Sequence, residues 1–266
     1  MRDITLGQFI AGNSILHHCD PRTKIVIMIV YVAMIFLIKS IPVFLLPLAF
    51  LILSLLLSHI PVSYILRSLK PIRLLLIFMF VLNLFFTRGE KIIFDLGFWS
   101  LTWEAVMQSV FITIRIVLLV TGASMLTLTT SPIALTDGIE RLLSPLKVFR
   151  FPSHELAMMM TIALRFIPTL IEESDKIMKA QMSRGADFES GNLLVRVKSM
   201  VPVLVPLFVS SFRKADELAT AMESRCYHGG EGRTRLHSLQ FTRLDLFAAL
   251  LTAGFFAATL ILYIVL

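Results

Sequence analysis

Two segments in the second half of the chain end in the same triplet of residue types: a serine, an arginine and a small third residue. The triplets are Ser183-Arg184-Gly185 and Ser224-Arg225-Cys226, at an offset of 41 positions. An arginine with small neighbours can pair with a carboxylate in a partner's groove, and two matching arginines predict two matching grooves. The same arginines could instead only complement the macrodipole at the C-terminus of a helix. Residue types alone do not decide between these explanations.

Arg115 is a third candidate, because it lies near the middle of an apolar stretch at residues 105–128. A charge in the bilayer core is costly, and such a residue is a functional candidate by default. The apolar stretches contain no carboxylate that could complete a proton relay. We therefore favour a structural role, with Arg115 facing the other helices and bonded to Asn83, Gln108 or a backbone carbonyl.

Catalytic and metal chemistry have little support in the sequence. His17-His18-Cys19-Asp20 contains metal-ligating types, but four adjacent residues rarely converge on one tetrahedral ion, so we interpret them as an interfacial turn. The chain has no P-loop, no Gly-x-Ser-x-Gly and no His-Glu-x-x-His motif. We predict that the chain is not an enzyme and holds neither a cofactor nor a metal.

Composition places these residues in an integral membrane protein. Hydrophobic residues make up 56% of the 266 residues and charged residues only 16%, with a mean hydropathy of +0.82. Soluble domains carry about a quarter charged residues, so lipid must cover part of this surface. The net charge of +7 is explained by basic residues on the cytoplasmic side and does not indicate nucleic-acid binding.

The apolar segments predict an all-α polytopic protein with about five membrane segments. They lie at residues 25–38, 41–57, 74–86, 105–128 and 246–266. The first three are short, since 14 residues reach only about 21 Å across a core of about 30 Å. These segments need flanking residues to complete a crossing of the bilayer, or they are tilted, bent or only partly inserted.

Basic residues predict how these segments are oriented. Arg2, Arg22 and Lys24 precede the first segment, and a second basic group at residues 67–73 lies between the second and third. Placing both groups inside predicts a cytoplasmic N-terminus and an external C-terminus.

The segment between the fourth and fifth membrane segments predicts three cytoplasmic helices. The first begins at Thr130-Ser131-Pro132, with serine as N-cap and proline at N1, and ends near Ser144-Pro145. The second runs for about 30 residues from Pro152-Ser153 to Gly185, and the third from about residue 192 to 227. Pro168, Pro202 and Pro206 are predicted kinks.

These elements divide the chain into three predicted domains. Residues 1–128 form an N-terminal membrane domain with about four segments, residues 129–243 a cytoplasmic helical domain, and residues 244–266 a C-terminal transmembrane helix.

Several motifs together resemble one transporter family. They are Asp20-Pro21-Arg22-Thr23-Lys24, Thr129-Thr130-Ser131-Pro132, Leu135-Thr136-Asp137-Gly138, Ala163-Leu164-Arg165-Phe166-Ile167-Pro168, Met182-Ser183-Arg184-Gly185-Ala186 and Lys214-Ala215-Asp216-Glu217-Leu218-Ala219. In this order, over nearly the whole chain, they resemble the transmembrane T components of energy-coupling factor (ECF) transporters.

The resemblance implies that the second and third helices are coupling helices that bind two ATPase subunits, as a heterodimer or a homodimer. Two Ala-Arg-Gly signatures carry that contact in the family, and here they correspond to residues 183–185 and 224–226. Ser183, Ser224 and Cys226 depart from the signature but stay small. These departures put a special role of the flanking residues in doubt, but they do not affect the role of the arginines.

The resemblance also implies a function at the cell membrane. ATP hydrolysis by the partner ATPases would reorient a small substrate-binding membrane protein, the S component, which releases a vitamin or a transition-metal ion inside. A self-sufficient secondary transporter or channel is the main alternative, but it should carry ionisable residues at the membrane midplane. A conventional ABC permease, which binds substrate itself, is a third interpretation.

Overall fold

The computed structural model describes residues 9–87, 89, 91–95, 100–149, 151–188, 192–229 and 239–265. Its α-helices are α1 (Ile15–His18), α2 (Pro21–Leu37), α3 (Leu45–Ser58), α4 (Val62–Leu69), α5 (Arg73–Phe86), α6 (Trp103–Thr129), α7 (Pro132–Leu143), α8 (Ser153–Ser183), α9 (Leu193–Ser224) and α10 (Arg243–Val265). Two 3-10 helices, Ile41–Phe44 and Ser144–Phe149, and one short antiparallel pair of strands, β1 (Ile92–Asp95) and β2 (Ser100–Thr102), complete the described elements. The predicted fold class, an all-α polytopic membrane protein, is confirmed.

Four helical segments of the described chain are long and apolar enough to cross a membrane. They are Ile41–Ser58, Trp103–Thr129, Ser153–Ser183 and Arg243–Ile264, and α4 with α5 adds a fifth if this pair, bent by 59°, counts as one span. The total agrees with the prediction, but the set differs. The predicted first segment, α2, has only 17 residues and is not among the four, whereas α8 is among them although it is the least apolar.

The N-terminal half of α8 explains this difference. Residues 153–170 carry only two acidic or basic side chains, Glu155 and Arg165, and all other charged residues of α8 follow residue 170. The prediction that α8 lies in the cytoplasm, and the three predicted domains with it, stay predictions.

Contacts divide the chain into two units, which do not follow the predicted domain boundaries. One unit comprises residues 1–139 and 238–266, and the other comprises residues 140–237. In the first unit, residues from α2, α3, α6 and the 3-10 helix Ile41–Phe44 form the main buried cluster. Phe255, Phe256 and Leu262 of α10 pack against that cluster.

Helix α6 passes close to Tyr31 of α2 in this core. The Tyr31 side chain is buried, its hydroxyl donates to the carbonyl of Leu118 at 3.3 Å, and its ring stacks on Phe50. Gly122 faces the same ring, and a Cβ there would lie well inside van der Waals distance of it. Glycine is therefore required at this position for α2 and α6 to pack closely.

Helices α2 and α10 run side by side in the same direction. At their N-termini the backbone N–H of Asp20 donates to Oδ1 of Asp245 at 2.7 Å, and near their C-terminal ends Lys39 lies over the ring of Tyr263 at 4.9 Å. A parallel pair agrees with the predicted topology, in which both segments cross outward. Which side is cytoplasmic stays a prediction, and Arg2 and Leu266, used to predict topology and the last span, lie outside the described residues.

The helices predicted between the membrane segments are present with bounds close to those expected. The Ser131 hydroxyl accepts from the N–H of Ala134 at 3.2 Å, which confirms the N-cap of α7. This helix has only 12 residues, whereas α8 has 31 and α9 has 32. Pro168 lies inside α8, and Pro202 and Pro206 lie inside α9.

Candidate functional site

Helices α8 and α9 form an antiparallel hairpin within the second unit. Three sets of side-chain hydrogen bonds join them, and the partner numbers on α9 rise as those on α8 fall. The bonds join Gln181 to the carbonyl of Pro202, Glu173 to both Ser210 and Lys214, and His154 to Tyr227. Because the two helices of this hairpin run in opposite directions, Arg184 and Arg225 lie at its opposite ends. At 1.5 Å per residue their separation is about 40 Å.

The C-terminus of α8 ends in a Schellman motif. The N–H of Gly185 donates to the carbonyl of Met182 at 2.9 Å, and the N–H of Ala186 donates to that of Gln181 at 3.0 Å. Gly185 has a φ of 89°, in the left-handed region that this motif requires. The backbone itself therefore satisfies the last carbonyls of α8.

The C-terminus of α9 repeats this geometry. The N–H of Cys226 donates to the carbonyl of Glu223 at 2.9 Å, and the N–H of Tyr227 donates to that of Met222 at 3.0 Å. Cys226 has a φ of 56° although it carries a Cβ. The two triplets therefore match in backbone conformation as well as in sequence, and Cys226 occupies the position that glycine occupies at the other tip.

Both arginines project from these tips without a partner in the described part of the chain. Arg184 and Arg225 are exposed, and neither guanidinium forms a hydrogen bond or ion pair with a described residue. The two serine hydroxyls instead donate to their own helices, Ser183 to the carbonyl of Lys179 and Ser224 to that of Ala221. Each end of the hairpin therefore presents a guanidinium that no described residue binds.

This geometry bears on the macrodipole explanation. An arginine that capped its own helix would direct its guanidinium to the last carbonyls. At both tips backbone N–H groups take that place, and the arginine side chains contact none of the described carbonyls. The guanidinium groups are thus available for a carboxylate on another molecule.

The conformation of Cys226 leads to a first prediction. Left-handed geometry costs a residue with a Cβ about 1 kcal/mol more than it costs glycine. Cys226→Gly should therefore stabilise the tip slightly and preserve function. A β-branched residue tolerates this region least, so Cys226→Val should unwind the last turn and displace Arg225.

Gly185→Val provides the matched test at the other tip. A Cβ at Gly185 would meet no atom within 4 Å, so only backbone strain is introduced. The sequence resemblance implies that the tips bind ATPase subunits, and on that expectation both valine variants should lower ATPase retention in pull-downs. Wild type and Cys226→Gly should retain the ATPase subunits. Equal retention by Cys226→Val and Cys226→Gly would show that the left-handed turn is not needed.

Arg115 is bonded to the end of another helix in the first unit. Its Nη2 donates to the carbonyl of Ile38, which follows α2, at 2.7 Å, and its guanidinium lies 4.5 Å from the ring centre of Phe111. Of the predicted partners, the structure shows a backbone carbonyl, while the amide of Asn83 donates to Met79 instead. The Nε of Arg115 has no partner among the described residues. The geometry suits a structural role, which stays a prediction.

The histidine-rich segment includes the end of a helix: His17 and His18 complete the four-residue helix α1, and Cys19 and Asp20 lie between α1 and α2. Both ring nitrogens of His17 are bonded, Nδ1 to the hydroxyl of Ser14 at 2.6 Å and Nε2 to the carbonyl of Ile10 at 3.0 Å. Within the described ranges no group of three metal-ligating side chains comes together. Burial raises the pKa of the Cys19 thiol, so exposed Cys226 is the more reactive of the two free cysteines.

Sequence reasoning missed a buried polar cluster that joins the starts of α2 and α10. The carboxylate of Asp20 accepts from the backbone N–H, Nε and Nη2 of Arg22. The carboxylate of Asp245 accepts from the N–H of Asp20 and from both the N–H and hydroxyl of Thr242. Nζ of Lys24 donates to the carbonyl of Thr129 at 3.1 Å. Asp20 and Asp245 are 225 positions apart in the sequence, and no local sequence pattern indicates such a contact.

The same region brings together two of the motifs. Gly138 of α7 lies against Pro21 at the start of α2, and a Cβ at Gly138 would approach Cβ of Pro21 to 3.0 Å. The segments around Asp20 and Gly138 are therefore packing partners.

A second polar contact lies beside the tip of α9, in the other unit. His154, near the start of α8, bonds through Nδ1 to Glu140 at 3.1 Å and through Nε2 to the hydroxyl of Tyr227 at 3.4 Å. Tyr227 follows Arg225 by two residues, so this contact fixes the position of the tip relative to α8.

Comparison with known proteins agrees with this architecture. A family model described as "Cobalt transport protein" (CbiQ) matches residues 12–236. Proteins called "Energy-coupling factor transporter transmembrane protein EcfT" are similar over nearly their whole length. The one from Thermosediminibacter oceani is 53% identical over 257 residues, 97% of this chain and 96% of the relative. The one from Bacillus subtilis is 47% identical over 245 residues, 92% of each.

The apolar helices and these relatives define a multi-pass transporter component of the cell membrane. The chain belongs to the CbiQ family, as the transmembrane T component of an ECF transporter. The resemblance noted in the sequence is thus confirmed.

Proposed function

We propose that this T component links ATP hydrolysis by two bound ATPase subunits to the reorientation of a substrate-binding S component. The observation that carries the proposal is the pair of matching tips on the α8–α9 hairpin, each with an exposed arginine that has no partner among the described residues. The chain itself does not hydrolyse ATP in this account, and its task is mechanical.

Two tips of the same geometry fit two grooves of the same kind. Arg184 pairs with an acidic groove on one ATPase subunit and Arg225 with an acidic groove on the other. The two ATPase subunits form a homodimer or a heterodimer. A separation of about 40 Å along the hairpin is too large for one groove to hold both tips. The bidentate geometry of guanidinium and carboxylate sets the orientation of each helix end.

An apolar stripe on α9 provides the contact for the S component. Its members recur every three or four residues, and each is 46–70% exposed. They are Val197, Met200, Val201, Leu204, Val205, Phe208, Val209 and Phe212. A continuous apolar face of this length is rarely left uncovered, and a second membrane protein is a suitable partner.

The apolar stripe and the Arg225 tip lie on α9, and the Arg184 tip lies on α8, so force passes along α9 and between the two helices. ATP binding brings the ATPase subunits together and moves the tips they hold. Since Glu173 bonds to both Ser210 and Lys214 across the hairpin, movement of one helix is passed to the other. The apolar stripe moves with α9, and the S component changes orientation. Nucleotide acts by favouring one of two arrangements.

The transported substrate is a vitamin or another micronutrient that the S component binds. The family description refers to cobalt transport, which supports a transition-metal ion as one such substrate. Substrate recognition belongs to the S component, so the T component needs no substrate pocket of its own.

The composition of the purified complex tests this proposal. The full-length tagged chain, extracted from native membranes in mild detergent, should carry two ATPase subunits and one small membrane protein, identified by mass spectrometry. Membranes from cells with the untagged chain are the control. Purification of the chain alone, from membranes that contain intact transporters, would contradict the proposal.

A further inference from the structure

Two cavities in the first unit meet at the N-terminal end of α2. One, of about 250 Å³, is lined almost wholly by apolar side chains of α1, α2, α3, α6 and α10. The other, of about 450 Å³, is more polar and is lined by the segments around Asp20 and Thr130. Cys19, Lys24 and Thr129 line both cavities. The two spaces together therefore change from apolar to polar at Lys24.

The apolar cavity has the dimensions of a segment of hydrocarbon chain. It extends along α2 from Lys24 to Tyr31, which at 1.5 Å per residue is about 10 Å. Gly122 lines its inner end. Ile15, Leu244 and Phe247 also line it and are 40–62% exposed, so they mark the side where it opens from the helix bundle.

The polar cavity contains an unsatisfied buried group. Thr130 is only 4% exposed, and its hydroxyl has no hydrogen-bond partner in the described chain. A buried hydroxyl without a partner is unfavourable, and a ligand that bonds to it removes that penalty. Thr130 lies in a motif that the coupling function leaves unexplained.

Neighbouring groups add hydrogen-bond donors to the same cavity. Nζ of Lys24 has three N–H bonds and donates two of them, to the carbonyls of His17 and Thr129. The hydroxyl of Ser131 accepts from Ala134 and still has its own proton to donate. The Asp20 carboxylate lines this cavity too, but Arg22 already occupies it. The site therefore requires a ligand rich in acceptor oxygens.

We infer that the joined cavities bind one membrane phospholipid, with an acyl chain in the apolar cavity and its phosphate at Lys24 and Thr130. The phosphate oxygens accept from Nζ of Lys24 and from the hydroxyls of Thr130 and Ser131. The boundary at Lys24 matches the boundary between chains and headgroup in a phospholipid, and the bilayer supplies this ligand at high local concentration.

The charges of the site define which phospholipids it accepts. Lys24 and Arg22 balance Asp20 and Asp245, so the polar cluster has no net charge. The phosphate is held by hydrogen bonds and one neighbouring cation, without a field that favours an anionic headgroup. Phosphatidylglycerol and phosphatidylcholine should thus bind alike, whereas diacylglycerol, which lacks the phosphate, should bind more weakly.

Native mass spectrometry of the full chain tests the inference. The protein is delipidated in detergent and titrated with palmitoyl-oleoyl phosphatidylglycerol, phosphatidylcholine or diacylglycerol, and lipids that survive removal of the loosely bound annulus are counted. We expect one retained phospholipid per chain, for both headgroups, and about tenfold weaker retention of diacylglycerol.

Two pairs of variants separate the chain site from the phosphate site. Ala248 lines the apolar cavity, whereas its neighbour Ala249 does not and is exposed. Ala248→Phe should lower retention at least tenfold and Ala249→Phe should leave it unchanged. Thr130→Val should lower phospholipid retention about tenfold and diacylglycerol retention little, whereas Thr127→Val, at an exposed hydroxyl bonded within its own helix, should change neither.

Three results would overturn the inference. They are the absence of a retained phospholipid in wild type, retention by Ala248→Phe equal to that by Ala249→Phe, and equal retention of diacylglycerol and phospholipid. If Ala248→Phe does not fold, the headgroup comparison and the threonine pair still decide, because neither changes the helix packing.

Discussion

Replacing both Arg184 and Arg225 by alanine should detach the T component from its ATPases and abolish uptake. Loss of one partner from a buried, hydrogen-bonded charge pair costs about 2–5 kcal/mol, much of it from the opposite charge left unpaired. Since about 1.4 kcal/mol corresponds to a tenfold change, each single variant should weaken its own contact at least tenfold. Co-purification and transport in reconstituted vesicles measure the two effects.

The single variants should behave differently from the double variant. With one tip still bound, the other ATPase contact remains at high effective concentration, so each single variant should retain ATPase in part. Uptake should nevertheless fall sharply, because both helices must move together. Lysine should rescue poorly at either position, since a point charge does not reproduce the guanidinium fork.

Arg213→Ala supplies a matched control. Arg213 is an exposed arginine in the middle of α9, away from both tips, and its replacement should leave ATPase retention near the wild-type level. A double variant at residues 184 and 225 that keeps both ATPases and transports normally would refute the docking role. Rescue by lysine, with only a small loss of stability, would favour the macrodipole explanation.

The second large effect is expected at Asp245, where an exchange to alanine should sharply lower thermal stability. Asp245 is 2% exposed and accepts from the N–H of Asp20 and from both donors of Thr242. Removal of the carboxylate leaves these buried donors without an acceptor, and only Asp20 then remains to balance the charges of Arg22 and Lys24. Each buried donor that loses its acceptor in this way costs about 1–3 kcal/mol.

Graded replacements distinguish charge from hydrogen bonding at this site. Asp245→Asn keeps one acceptor oxygen and should lose less stability than Asp245→Ala, while Asp175→Ala, at an exposed aspartate of α8, should have little effect. The midpoint of thermal unfolding in detergent measures each change. If Asp245→Ala and Asp175→Ala unfold at the same temperature, the polar cluster does not hold α2 and α10 together.

Features that depend on neighbouring residues could be predicted from the sequence. The start of α7 was expected from serine before proline and is confirmed by the hydrogen bond from Ala134 to Ser131. The ends of α8 and α9 were expected from their apolar periodicity and from Gly185. A local signal sufficed here because caps and turns are set by a few adjacent residues.

Features that depend on distant contacts could not be predicted in this way. The bond between Asp20 and Asp245 joins residues at opposite ends of the chain, and the close packing of Gly122 on Tyr31 depends on how α2 and α6 meet. The antiparallel pairing of α8 and α9 also follows only from tertiary contacts. Sequence reasoning therefore found the two tips but not that they lie at opposite ends of one hairpin.

The repeated triplet also contains a signal about backbone conformation. The offset that aligns Arg184 with Arg225 also aligns Gly185 with Cys226, and both residues have a positive φ. A small residue in the place of a helix-ending glycine indicates a left-handed turn even when it carries a Cβ. The two triplets thus share a backbone conformation as well as residue types.

Site-specific photo-cross-linking in the intact complex tests the coupling account most directly. Photoreactive residues placed at Ser183 and Ser224 sit beside the two arginines, and one placed at Phe208 lies in the apolar stripe of α9. The account predicts that positions 183 and 224 cross-link to ATPase subunits, a different one for each position when the ATPases differ, and that position 208 cross-links to the S component. Complexes that contain both ATPases but yield no ATPase cross-link from either tip would contradict it.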